Sequence, residues 1–159
     1  MSKRLVVSAL AGAVVLGGGA AATVALVGTA DAAAPAGDPV IGKSSSDPVV
    51  LGDAGTHALT FTTSVSDDSG IRSVKVLAWP KSSHLDPKAS EMAHVESATC
   101  KASSATTSVC TYRTPVDGRK DAADIPTGTW YMAVFVTAED HGTTFAAKAS
   151  TFTVTRHAG

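Results

Sequence analysis

The chain has 159 residues, with 13 Lys and Arg against 14 Asp and Glu, a formal net charge of −1, and 44% apolar but only 5% aromatic residues. That length suits a single domain. Apart from Lys3-Arg4, no cationic run exceeds Arg119-Lys120, which excludes a concentrated basic face for nucleic acid or anionic lipid.

The N-terminus reads as an export signal over residues 1–32. Lys3 and Arg4 precede a Leu/Val/Ala/Gly run from Leu5 to Val27, and Ala30-Asp31-Ala32 fits the small-residue rule for cleavage after Ala32. The run is also long enough for a membrane anchor. Gly17-Gly18-Gly19 interrupts it and no basic stop-transfer cluster follows, so export without later membrane insertion is the expectation. Residues 33–47, rich in Ala, Pro, Gly and Ser, read as a flexible leader.

From residue 48 to 156 the texture is one of short alternating apolar runs between Gly, Pro, Asp and Ser clusters, an all-β pattern. A short strand over 48–51 is followed by one over 57–65, with Leu59, Phe61 and Val65 on one face. The strand over 71–79 carries apolar residues on both faces and ends at Pro80. Asp86-Pro87 predicts an N-cap and first helical position for a short helix over 87–93. Residues 95–101 and 108–114 form a hairpin around ASSATT (102–107). KDAAD (120–124) predicts one helical turn between sheets, stopped by Ile125-Pro126. The run over 128–138 lacks alternation and reads as a central strand buried on both faces. In 143–155 the apolar phase switches from Phe145 and Ala147 to Phe152 and Val154, so a bulge near Lys148 to Ser150 is required to keep one inward face. Seven strands with two short helical connections predict a two-sheet sandwich, with a partly closed β-barrel as the fallback.

Cys100 and Cys110 are the only cysteines. In an oxidising compartment one disulfide clamping the hairpin is the simplest use, against a metal site short of soft ligands or a C-x-x-C redox pair at the wrong spacing.

Two acidic turns stand out. Asp67-Asp68 in SDDSG and Glu139-Asp140 in AEDHG follow the second and sixth predicted strands, which a sandwich places at the same end. Four carboxylates there suit calcium, a hard cation taking six to eight oxygen ligands. The plainer reading is Asx-turn chemistry, in which each aspartate accepts nearby backbone N–H groups.

The histidines (57, 84, 94, 141 and 157) show no metal-binding interval, and no nucleophile elbow, zincin helix or phosphate loop appears. No catalytic residue and no cofactor other than calcium is expected. Trp79, Trp130 and Tyr131 read as core anchors, with a carbohydrate strip requiring two of them exposed on one face.

The stretch from Ser66 to Ile71 followed by Ser73 to Val76, and that from Gly128 to Val136 followed by Ala138, Asp140 and Gly142, resemble bacterial immunoglobulin-like modules of secreted and cell-surface proteins. More narrowly, SDDSGIRSVKVLAWP with the spaced cysteines and IPTGTWY resembles a family of small, uncharacterised secreted proteins of high-GC Gram-positive bacteria. The resemblance implies an immunoglobulin-like sandwich and no activity. The expected function is extracellular, non-enzymatic binding of a protein or glycan by a monomer. The alternative is a hydrolase inhibitor that presents the 102–107 hairpin.

Overall fold

The structure, a computed structural model, describes residues 37–52 and 55–157. The expected export signal over 1–32 and the first part of the leader lie outside the described residues. Eight strands form the architecture: β1 (Val40–Ser46), β2 (Val49–Leu51), β3 (Thr56–Ser66), β4 (Ile71–Pro80), β5 (Thr99–Ala102), β6 (Thr107–Asp117), β7 (Gly128–Ala138) and β8 (Thr143–Arg156). They make two four-stranded sheets, ordered β1-β3-β6-β5 and β2-β8-β7-β4. The pairs are antiparallel except β2 with β8, which run parallel. The all-β sandwich expected from the alternation is therefore present.

Alternation builds the core. On β3, Leu59, Phe61, Thr63 and Val65 are buried, facing Val74 and Val76 of β4, Met132, Val134 and Val136 of β7, and Phe152 and Val154 of β8 across the sandwich. On β7 three consecutive residues, Met132, Ala133 and Val134, are fully buried. This is the two-faced burial that its unbroken apolar run predicts, and β7 lies between β8 and β4. The pairing of β7 with β8 steps from Met132↔Ser150 to Val134↔Ala146. Extra β8 residues are thus accommodated around Lys148, where the phase switch requires a bulge.

Residues 40–46 correct the expected leader: they form β1, which pairs with β3 from Val40↔Ser66 to Ser46↔Phe61. Ile41 packs on the core. Ser44 Oγ meets Thr63 Oγ1 at 2.8 Å, and Ser46 Oγ donates to Ser150 Oγ at 2.9 Å. Hydroxyl and backbone pairing hold this strand, and these leave no hydrophobic periodicity in the sequence. Gly42 allows the close approach to β3, since a Cβ there would lie 2.5 Å from Ser64 Oγ and 3.2 Å from Ser64 O. The chain then changes sheets at Asp47-Pro48, between β1 and β2.

Two smaller corrections concern the crossover from β4 to β5. Pro80 is the last residue of β4, and the helical content is two 3-10 turns, Lys81–Ser83 and Ala89–His94, in place of a helix over 87–93. Asp86 does not cap; its carboxylate pairs with the Lys88 ammonium, which holds its pKa low, while Glu91 accepts the Lys88 N–H at 2.7 Å. Residues 95–98, expected in the fifth strand's sheet, instead run along the edge of β4. Val76 N–H donates to Glu96 O and Ala98 N–H to Val74 O, both at 2.9 Å. Only then does the chain cross to pair with β6 as β5. The link from β6 to β7 contains the expected single turn, closed by Ile125 N–H to Asp121 O at 2.9 Å.

Candidate functional site

The β5–β6 and β7–β8 hairpin loops and the β3–β4 crossover between the sheets share one end of the sandwich, as the topology demands. They are tied to one another. Asp67 N–H donates to Thr106 O at 2.8 Å, Glu139 N–H to Gly70 O at 3.0 Å, and Asp140 N–H to Ser69 Oγ at 3.2 Å. Gly70 sits at φ +99°, a left-handed conformation that suits glycine, and turns the chain into β4. Beside these loops lies a depression of about 340 Å³ lined by Asp38, Asp67, Asp68, Thr106 and Val40. Val40 is 60% exposed there.

Asp67, Asp68 and Asp140 converge, each offering a carboxylate oxygen within 4.8 Å of the others. Glu139, expected as a fourth member, is not in this group. Its side chain lies over Gly70, where an added Cβ would be 3.7 Å from Glu139 Cγ. Neighbouring residues of a tight turn point apart, and Asp140 faces Asp67 and Asp68 while Glu139 lies along Gly70.

Two of the three aspartates are also turn formers. Asp67 is buried, and its Oδ1 accepts the Ser69 N–H at 2.8 Å and the Ser69 hydroxyl at 2.5 Å. Asp140 Oδ1 accepts the Gly142 N–H at 2.9 Å. Both bonds follow the i to i+2 Asx pattern expected from the sequence. Each leaves a second carboxylate oxygen, and Asp68 leaves both, for an outside cation. Sequence reasoning missed Asp38 and the Arg72 Nη1 contact to His141 Nδ1 at 3.1 Å, which borders the same end. Asp38 stood in a stretch read as leader.

The hairpin disulfide is in place. Cys100 and Cys110 are directly opposite in the β5–β6 register, with Cα atoms 3.9 Å apart. The aromatic anchors divide between faces. Trp79 is buried and packs on Tyr131 at 4.8 Å with Lys148 Nζ over the Tyr131 ring, whereas Trp130 packs on Phe152 at 6.0 Å. No exposed pair shares a face among these three, so they form no carbohydrate strip.

No helix among the described residues is long and apolar enough to cross a membrane. Residues 44–136, from β1 to near the end of β7 and more than half the chain, match a family of unknown function, DUF5707. No curated protein matches the chain.

Proposed function

The chain belongs to that family of unknown function, and we propose that it is an exported, non-enzymatic interaction module that engages an extracellular protein or glycan through its acidic loop end. The observation that carries this reading is the locking of three loops by hydrogen bonds between them. Loops fixed before contact lose little conformational freedom on binding. The immunoglobulin-like build belongs to the same proposal. The orders β1-β3-β6-β5 and β2-β8-β7-β4 correspond to A-B-E-D and A′-G-F-C, the arrangement of that fold. Export is supported by the N-terminal apolar run and by a disulfide, which persists in oxidising compartments.

The test is binding of the purified chain to cell-wall glycan and to secreted proteins, read by biolayer interferometry. The double substitution Asp68→Lys, Glu139→Lys weakens the relevant complex about tenfold, about 1.4 kcal/mol. Equal binding by both forms moves the interface away from this end. The inhibitor alternative rests on the clamped β5–β6 hairpin. Its tip offers only Ser103, Ser104, Ala105 and Thr106, and Thr106 O is already held by Asp67. Secreted hydrolases mixed with stoichiometric chain therefore keep full activity; their loss would reverse the preference.

Calcium is the ion proposed for Asp67, Asp68 and Asp140. Melting in millimolar calcium is expected several degrees above melting in chelator, because an ion that binds the folded state adds stability. Asp68→Asn or Asp140→Asn abolishes the difference. Superimposed wild-type melts would leave both stretches with turn chemistry alone.

A further inference from the structure

At the opposite end of the sandwich the two sheets differ in width. β5 pairs with β6 only as far as Thr99↔Thr111, and β1 with β3 only as far as Ser46↔Phe61, whereas β3 and β6 continue together to Thr56↔Asp117. Two strands there face the β2, β8, β7 and β4 end of the other sheet, whose pairing runs to Leu51↔Arg156, Gly128↔Val154 and Pro80↔Trp130. The part of the inner face left uncovered opens a cavity of about 160 Å³ whose walls include Leu59, Val116, Trp130, Phe152 and Val154. Ala78, small and inward-facing, leaves room on the β4 side, and Ile125 of the β6–β7 turn lies at the lip. Ile125, Trp130 and Tyr112 are only half-buried, so the cavity has a way in from solvent.

The polar side chains of the wall are engaged elsewhere. Trp130 Nε1–H donates to Pro126 O at 2.9 Å. The Tyr112 hydroxyl donates to the Glu96 carboxylate. The Thr114 hydroxyl acts on that same tyrosine, opposing the rise in its pKa. Burial first, then the Glu96 bond, pushes the Tyr112 pKa up to about 12, so the hydroxyl stays a donor and the ring stays pinned. Water needs two to four polar partners to occupy a cavity, and an apolar cavity of about 150 Å³ stays dry and admits benzene.

We propose that this cavity is a binding site for a small, uncharged apolar ligand of about the size of a benzene ring. It is independent of the acidic loop end and of the partner proposed there. The probe is benzene itself, added to the full-length, disulfide-bonded chain. Melting rises by roughly 4 °C or more at tenfold excess over Kd, and the methyl NMR signals of Leu59, Val116 and Val154 shift in a saturable way. Ala78→Leu, which fills the space, removes both responses. If Ala78→Leu does not fold, Val116→Leu serves, and the methyl shifts of the unsubstituted chain decide by themselves. An unchanged melt with unmoved methyl signals would overturn the proposal, as would responses that persist undiminished in the folded filling variant.

Discussion

Replacing Cys100 and Cys110 together by alanine lowers the unfolding free energy by about 3 kcal/mol, read by urea denaturation. The two cysteines are separated by 10 in sequence, and in the chain-entropy model a closed loop of about that length limits the unfolded ensemble to this extent. The native side adds to the effect. β5 has only four residues and four rungs of pairing with β6, and its other edge has no strand partner in the sheet order. Without the bridge nothing else covalent holds it in register. Cys110 is also fully buried, so its truncation leaves a small void. Reduction of the wild-type bridge separates these contributions, since it breaks the crosslink and keeps both side chains. The melting temperature of the double variant falls by roughly 10–15 °C, and the amides of 99–102 exchange faster than those of β3 and β7. A loss below about 1 kcal/mol would mean that the ladder alone sets the register.

What could be read in the sequence was what leaves a hydrophobic period. β3 alternates, β7 is apolar without interruption, and the β8 bulge follows from a phase that must be restored, since a one-residue slip would turn Phe152 and Val154 to solvent. Thr63 is fully buried on the inner face of β3, where a polar residue obscures the pattern, and its hydroxyl is matched by Ser44. That partner sits in β1, whose seven residues VIGKSSS include only two apolar side chains. A strand held by backbone and hydroxyl pairing has the composition of a linker. Asp86-Pro87 marked the place of a helical segment, but the cap bond it suggested is replaced by the Asp86–Lys88 pair. At the acidic end, the β3–β4 crossover between the sheets and the β7–β8 hairpin fall at the same end and bring Asp67, Asp68 and Asp140 together by topology alone. The exclusion of Glu139 depends on the rotation of a single turn residue, which spacing does not carry. The apolar cavity was invisible for a different reason. It comes from where β5 and β1 stop pairing, and no local run of residues encodes the difference in length between two sheets.

A chain truncated to begin at Pro48 is expected to lose about 3 kcal/mol relative to one beginning at Gly37, although the removed residues have the composition of a leader. The truncation takes Ile41 from the edge of the core and leaves the buried Thr63 hydroxyl without Ser44 and the Ser150 hydroxyl without Ser46. Each lost hydroxyl–hydroxyl bond costs about 1 kcal/mol, and half-burying an isoleucine contributes about 1 kcal/mol. The backbone pairing of β1 with β3 offsets the cost of ordering its seven residues, which leaves these side-chain terms as the net loss. The second consequence is an exposed edge. β1 covers β3 from Ser66 to Phe61, and without it that row of N–H and C=O groups is open to pairing with another molecule. Size-exclusion chromatography therefore shows association of the shorter chain at concentrations where the longer one stays monomeric. Paired melts of the two chains supply the decisive comparison. Coincident melts and elution would return residues 37–47 to the role of a tether; a lower melt with association would make β1 the strand that both completes the core and shields its edge.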